Sequence, residues 1–299
     1  MDGDVPVAIW KADVPVSELI ERWAQPPSTF IKIDGMDVHV RDEGPRGATP
    51  PIVLLHGTGN SLHTWDALAQ RLKTTNRVIS IDRPGFGLTG PNPSGDYSME
   101  YYVGFMHRLL DVLQIERCVL VGNSAGGRVA WRFALAEPQR VSRLVLIAAA
   151  GYPRTLPASF GFRIAMSPVG SIILHLLPKS SMAAGVRQTY GDPSKVTDDV
   201  IDRTYEVFLR AGNREALGPA LRAARTADDY PRIKTIAVPT LIIWGAKDTV
   251  LPAADADRFK ADIRGSRVVM MPSVGHLPQE EAPDETYAAI ASFIAENAL

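Results

Sequence analysis

Gly122-Asn123-Ser124-Ala125-Gly126 is preceded by Arg117-Cys118-Val119-Leu120-Val121, an apolar, β-branched run of buried-strand length. It is followed by residues 127–135 (GRVAWRFAL), which carry a helical pattern. These five residues join a strand to a helix, and a serine at such a junction sits at the tip of a sharp, strained turn. The turn crowds the positions two places to either side, which is the physical reason for Gly122 and Gly126. With 24 glycines in the chain, the bare pattern is expected on the order of 0.1 times by chance. Its context therefore carries the weight against an ordinary loop with an N-capping serine.

A serine hydroxyl needs a base to take its proton, and six histidines are present. His39 alternates with apolar residues and reads as the exposed face of an early strand. His63 and His107 lie in helix-like stretches, and His175 lies in an apolar run that suits a structural histidine. His56 ends a strand. His276 follows the short strand 268–271 and the loop Pro272-Ser273-Val274-Gly275, so it stands at the carboxyl end of a late strand. From there an imidazole can reach a nucleophile on a central strand, and His276 is the expected general base. The base needs a carboxylate to fix its tautomer and stabilise the imidazolium. Asp248, in Gly245-Ala246-Lys247-Asp248 after the buried strand 241–244, is placed at the same end of the sheet. Its alternative role is that of an acid near the N-terminus of the following helix.

Acyl transfer also requires backbone amides aimed at the oxygen that gains charge. One donor is expected from Ala125, at a helix start where N–H groups lack acceptors and the dipole favours an anion. The other is expected from Thr58, in His56-Gly57-Thr58-Gly59 after the strand 52–55. A glycine-rich strand end alone would be only a tight turn.

Taken in order, His56-Gly57-Thr58-Gly59, Asp82-Arg83-Pro84-Gly85-Phe86-Gly87, Gly122 to Gly127, Gly245-Ala246-Lys247-Asp248 and Gly275-His276 resemble the α/β-hydrolase superfamily from about Phe30 to the C-terminus. The chain order Ser124, Asp248, His276 is that of the family's triad. Some relatives carry the acid after the strand that follows the nucleophile helix, but residues 144–152 (LVLIAAAGY) hold no carboxylate. The resemblance implies triad roles for Ser124, Asp248 and His276, oxyanion roles for Thr58 and Ala125, and a pocket floor shaped by the Asp82–Gly87 turn. Serine at the elbow argues against the epoxide-hydrolase and dehalogenase branches, which need a carboxylate nucleophile.

Composition sets limits. Thirty-two basic and 33 acidic residues are mixed along the chain, so no surface field for nucleic acid or an anionic membrane is expected. Cys118, the single cysteine, excludes an intrachain disulfide and suits core packing. There is no basic start followed by an apolar core, and no run of about 18 apolar residues. A cytoplasmic location without membrane insertion is the expectation, with homo-oligomerisation left open.

Alternating strand and helix patterns predict an α/β class protein, one mostly parallel doubly wound sheet with an inserted helical cap. The hydrolase core is expected at 30–151 and 233–299, after an N-terminal extension (1–29) in which residues 16–24 (VSELIERWA) form a short amphipathic helix. Between 152 and 232 strand patterning stops, and helices are expected near 160–177, 181–190, 198–211 and 214–227. A cap there excludes water and selects substrate shape. Phe162 and Met166, in a helix apolar on more than one face, are candidate substrate contacts or core packing, and Asn123 is a third candidate contact.

The expected activity is a serine hydrolase of carboxylic esters, acting on small to medium apolar substrates through an acyl-enzyme and requiring no metal or organic cofactor. The elbow G-N-S-x-G-G also resembles that of carbon–carbon hydrolases of the meta-cleavage-product kind. Leu277-Pro278-Gln279 lacks the tryptophan that this branch would have after its histidine. The fold also hosts cofactor-free dioxygenases and receptors with idle triads.

Overall fold

The computed structural model describes residues 10–47, 50–153, 155–156, 160–225 and 229–296. In chain order the elements are α1 (Val16–Trp23), β1 (Ser28–Ile33), β2 (Met36–Glu43), β3 (Ile52–Leu55), α2 (Asp66–Leu72), β4 (Val78–Ile81), α3 (Met99–Val112), β5 (Cys118–Asn123), α4 (Ala125–Ala136) and β6 (Val141–Ile147). Five helices follow: α5 (Phe160–Ala165), α6 (Gly170–Leu174), α7 (Lys179–Gln188), α8 (Asp198–Phe208) and α9 (Asn213–Arg225). The chain then returns to the sheet with β7 (Thr240–Gly245), α10 (Ala254–Asp262), β8 (Arg267–Met271), α11 (Pro278–Glu281) and α12 (Pro283–Ala295).

The eight strands form one sheet in the order β1-β2-β4-β3-β5-β6-β7-β8. The β1–β2 and β2–β4 pairings are antiparallel and the rest parallel. β3, β4, β5 and β7 are buried along their whole length, as a sheet covered on both faces requires. One face packs Leu55, Ile79, Leu120 and Leu146 against Phe105, Leu109, Trp131 and Phe133. The other packs Ile52, Leu54, Val121 and Ile147 against Trp65, Leu68, Ile290 and Phe293. Cys118 lies fully in the first layer, and burial pushes its thiol up to about 12. Because β3, β5, β7 and β8 are parallel, the loops that follow them open along one edge of the sheet. Those loops hold Thr58, Ser124, Asp248 and His276.

Among the described residues between β6 and β7 no strand joins the sheet, as the sequence pattern predicts. The expected helix over 160–177 is instead two short ones. Pro168 stands in the break, where a proline removes an N–H and crowds the preceding turn. The end of the helix expected at 214–227 lies outside the described residues, as does the start of the N-terminal extension. α2 has no counterpart in the sequence reading.

The described part of the extension runs along the inserted helices. Val14 N–H donates to Leu209 at 2.8 Å, Ala211 N–H to Val14 at 2.9 Å and Lys11 N–H to His175 at 2.7 Å. Leu19 and Trp23 of α1 pack with Leu88 of the core and Val207 of α8. His63 completes the seam, donating from Nε2 to the Trp23 carbonyl at 2.7 Å while Nδ1 accepts from Ser61 at 3.0 Å. Both partners suit the neutral ring.

His39 departs from the sequence expectation. It is fully buried, its Nδ1 bonded to Asp82 Oδ2 at 2.7 Å and its Nε2 to Ser28 at 2.9 Å. The strand is buried on the face that alternation alone assigns to solvent, because Phe30, His63 and the turn that begins at Asp82 cover His39 there. Burial favours the neutral acid at Asp82, but His39, through its hydrogen bond and electrostatic pull, outweighs it and holds the carboxyl below its usual range.

Desolvation, aided by Arg83, lowers His56 from 6.5 to about 3, and desolvation also lowers His63 from 6.5 to about 3. Unfolding exposes both rings and restores the ordinary value, so below pH 6.5 the unfolded chain binds protons that the folded chain refuses. Their contribution is intact above pH 6.5 and is lost as pH falls toward 3. With both rings titrating only when unfolded, stability should drop by roughly 2 to 3 kcal/mol per pH unit between pH 6 and 5. Urea unfolding across that interval measures the slope, and His63→Gln should roughly halve it; a flat profile would contradict the buried neutral rings.

Candidate active site

Ser124 sits between β5 and α4 at φ +54° and ψ −119°, a left-handed conformation that a residue with a side chain adopts only under constraint. Three hydrogen bonds hold it: Ser124 N–H donates to Ile147 at 3.0 Å, and its carbonyl accepts from Ala150 at 2.9 Å and Arg128 at 3.1 Å. The flanking glycines are required by contact. A Cβ on Gly122 would lie 2.4 Å from the Gly126 carbonyl oxygen, and one on Gly126 would lie 2.2 Å from that of Leu55 and 2.5 Å from that of His56. Ser124, Ala125 and Thr58 are half-buried, so this end of the elbow meets open space.

Asp248 and His276 are brought together. His276 Nδ1 lies 2.7 Å from Asp248 Oδ2, with both side chains almost wholly buried. The second carboxylate oxygen of Asp248 accepts from the N–H groups of Val250 at 2.8 Å and Leu251 at 3.0 Å. A carboxylate so held keeps the Nδ1–H tautomer of His276 and leaves Nε2 as a lone-pair base.

Asn123 joins these parts. It is fully buried, and its Nδ2 donates to the carbonyls of Ile147 at 3.2 Å and of His276 at 3.1 Å. Lying in β5, it points toward the neighbouring strand and histidine loop, and so fixes the serine elbow to His276. The sequence marks the position through the elbow motif and gives no sign of which way the side chain turns.

The loop after β3 is set by His56. Its Nε2 accepts from Arg83 N–H at 3.0 Å, so the proton of the neutral ring is on Nδ1, which donates to the Gly57 carbonyl at 2.7 Å. In a trans peptide the C=O and the following N–H point in opposite directions. Holding Gly57 C=O on the His56 side therefore turns Thr58 N–H to the other side, away from the buried ring. Ala125 opens α4, whose first N–H groups have no acceptor within the helix. Arg83 Nε also donates to the His56 carbonyl at 2.7 Å, so the Asp82–Gly87 turn braces this loop from behind. His56 and Arg83 as braces were not read from the sequence, where both appear only as letters of motifs.

Phe162 and Met166 are half-buried and pack against the main apolar layer. Met166 also lines a cavity of about 370 Å³ with Ser171, Arg214 and Glu215. The group Asp13, His175 and Glu215 is the one cluster among the described residues with metal-ligand spacing, and Arg214 already pairs with its Asp13. None of the described helices is long and apolar enough to cross a membrane.

Three comparisons place the chain among known proteins. A family model described as the alpha/beta hydrolase fold matches residues 50–283. An uncharacterized protein of Mycobacterium tuberculosis is 34% identical over 261 residues, covering 79% of this chain and 73% of that one. A 2-hydroxy-6-oxononadienedioate/2-hydroxy-6-oxononatrienedioate hydrolase of Paraburkholderia xenovorans is 30% identical over 283 residues, covering 90% of this chain and 95% of that one. The crystal structure of an enol-lactonase from Burkholderia xenovorans superposes with a TM-score of 0.75 at 25% identity, covering 89% of this chain and all of that one.

Replacing His56 with Phe should leave the Thr58 peptide free to rotate and slow the covalent labelling of Ser124 by an organophosphonate about 10-fold or more, since a single oxyanion donor is worth about 10²-fold or more. Labelling at the wild-type rate would show that the peptide is oriented by the loop alone. The matched family model, the relatives and the eight-stranded sheet agree: the chain belongs to the α/β-hydrolase family and is a hydrolase of that fold.

Proposed function

We propose that the protein cleaves carboxylic esters of small to medium apolar substrates, with Ser124 as nucleophile, His276 as general base and acid, and Asp248 as the group that orients the imidazole. The observation that carries this reading is the strained Ser124 elbow tied through Asn123 to a histidine that is bonded at 2.7 Å to a buried carboxylate. Ser124 Oγ gives its proton to His276 Nε2 and attacks the carbonyl carbon, while the amides of Thr58 and Ala125 hold the oxyanion. Collapse expels the alcohol, which takes the proton from the imidazolium. Water, deprotonated by the same Nε2, then cleaves the acyl-enzyme and releases the acid. The helical insertion is assigned as the cap, with Phe162 and Met166 as candidate substrate contacts. The enol-lactonase, similar in fold, is named for cleavage of a cyclic ester.

A second reading has its own support: the Paraburkholderia xenovorans relative is named as a hydrolase of 2-hydroxy-6-oxo dienedioates, a carbon–carbon cleavage. Leu277-Pro278-Gln279 after the histidine weighs toward esters. A panel of nitrophenyl esters assayed beside a vinylogous diketo acid separates the two. Turnover of esters with the diketo acid untouched supports the first reading, and the reverse supports the second.

On whichever substrate turns over, Ser124→Ala should lower kcat by about 10⁴-fold without unfolding the protein, and an organophosphonate should add at Ser124. Labelling at another serine would refute the assignment. Phe162→Ala and Met166→Ala should change the ratio of kcat/KM between short and bulky esters by about 10-fold, because an apolar pocket contact is worth roughly 1–3 kcal/mol. Equal losses on all substrates with a lowered Tm would place these side chains in the core.

A further inference from the structure

The main chain around His276 is tied to the helical insertion at several points, directly or through a carboxylate that also holds it. His276 N–H donates to the Thr189 carbonyl at 2.7 Å, four residues before the chain turns into the 3₁₀ segment Pro193–Lys195. Glu281, buried in α11, accepts at one oxygen from Gly275 N–H at 2.7 Å and Gly191 N–H at 2.9 Å, and at the other from Asp192 N–H at 2.8 Å. Leu277, on the other flank of the histidine, belongs to the insertion's own apolar cluster with Ala183, Tyr190, Val196 and Ile201. The acid loop is tied to the same stretch through Thr249 Oγ1, which donates to the Gln188 carbonyl at 2.7 Å. The approach is close enough to exclude side chains: a Cβ on Gly275 would lie 2.4 Å from the Thr189 carbonyl oxygen, and one on Gly191 would lie 2.5 Å from that of Ser273.

The adjacent carboxylate repeats the arrangement on the oxyanion side. Glu280 accepts from Tyr190 Oη at 2.9 Å and Arg203 Nη2 at 3.0 Å, both in the insertion, and from Asn60 Nδ2 at 3.3 Å and Thr64 Oγ1, both in the chain after Thr58. Two neighbouring acids in α11 thus connect one inserted segment to the base loop and to the oxyanion loop.

We propose that the segment 188–192 is a clamp that positions the Asp248–His276 pair, and that Glu281 is the positioning residue that fastens it. The insertion is then part of the catalytic frame, and a shift of this segment moves the imidazole with it. Because a carboxylate accepts all three N–H groups, whereas a carboxamide keeps one acceptor oxygen and sets an NH₂ donor against the N–H groups at the other position, Glu281→Gln keeps the shape of the residue and breaks part of the fastening. The proposal rests on the assignment of His276 as base, so its test includes a measurement that needs no substrate.

The test follows the low-field proton NMR signal of His276 Nδ1–H, identified by its loss in His276→Ala, together with kcat and KM on the best substrate. In Glu281→Gln this signal should shift and exchange faster with water. kcat should fall about 10- to 100-fold with KM changed by less than about 3-fold, because small displacements of a base act on the chemical step. Gly191→Ala, which pushes a methyl group into the Ser273 carbonyl, should reproduce both effects if Glu281→Gln does not fold. Leu174→Ala is the matched control: it removes a buried side chain of α6 away from the clamp and should lower Tm while leaving the signal in place. An unchanged signal and kcat in both clamp variants, with Tm lowered as in the control, would overturn the proposal, as would the absence of the signal from the wild-type protein. A panel in which no ester turns over, with the signal behaving as described, would count against the ester reading and leave the clamp standing.

Discussion

The close approach of α4 to the end of β5 is the constraint on which the rest depends. Ser124 can hold φ +54° only because its neighbours let two backbones touch: Gly122 faces the Gly126 peptide, Gly126 faces the carbonyls of Leu55 and His56, and Gly127 meets Ala149, where a Cβ would lie 2.5 Å away. Strain of this kind costs about 1–3 kcal/mol and persists only when the surroundings over-determine it. Here β3, β5 and β6 all lie at the contact, so the elbow cannot relax without parting strands that are buried on both faces. The same packing brings the His56 carbonyl beside Gly126 and so fixes the distance between the two proposed oxyanion donors.

How much of this was legible follows from what each kind of signal encodes. Glycine at three elbow positions, apolar runs of strand length and the order of serine, aspartate and histidine are local properties, and they gave the strand sequence, the elbow and the proposed nucleophile with its proposed partners. Pairings between distant segments are not encoded locally. His39 alternates like a surface residue, and it is buried by partners distant in sequence, Asp82 and His63 among them, that reach it only in the fold. Asn123 is marked by the elbow motif, but its direction depends on where β6 and the loop after β8 arrive. Pro168 was present in the sequence and should have divided the helix assigned to residues 160–177. α2 was missed because its seven residues are too few for a periodic pattern to stand out.

The histidines divide by environment in a way the sequence does not show. His56 and His63 are neutral because they are buried and because each ring nitrogen already has a partner suited to one tautomer. Each then works as a fixed donor and acceptor, His56 turning a peptide and His63 fastening α1. His276 is also buried, yet its Nδ1 faces a carboxylate and its Nε2 makes no hydrogen bond among the described residues. A ring with a carboxylate behind it gains from becoming charged during a reaction, whereas His56, with Arg83 beside it, does not. His39 shares the buried carboxylate, but its Nε2 is bonded to Ser28 at 2.9 Å, so it is the second ring nitrogen that separates the candidate base from this structural histidine.

The two acids of α11 extend the same logic to the boundary between core and insertion. A helical insertion joined to a sheet only by its two chain connections would be free to rock on them. Here the polar groups of 188–192 are paired with groups of the acid and base loops, and buried N–H groups without partners are costly. Separating the insertion from these loops would leave the N–H groups of Gly275, Gly191, Asp192 and His276 and the carboxylate of Glu281 to find water at once. Opening for substrate is therefore expected on the side of α5 and α6, where Phe160, Val169 and Ile172 are exposed. Substrate selection and catalytic geometry are assigned to opposite ends of one insertion, so that the pocket can vary while the histidine stays in register with Ser124.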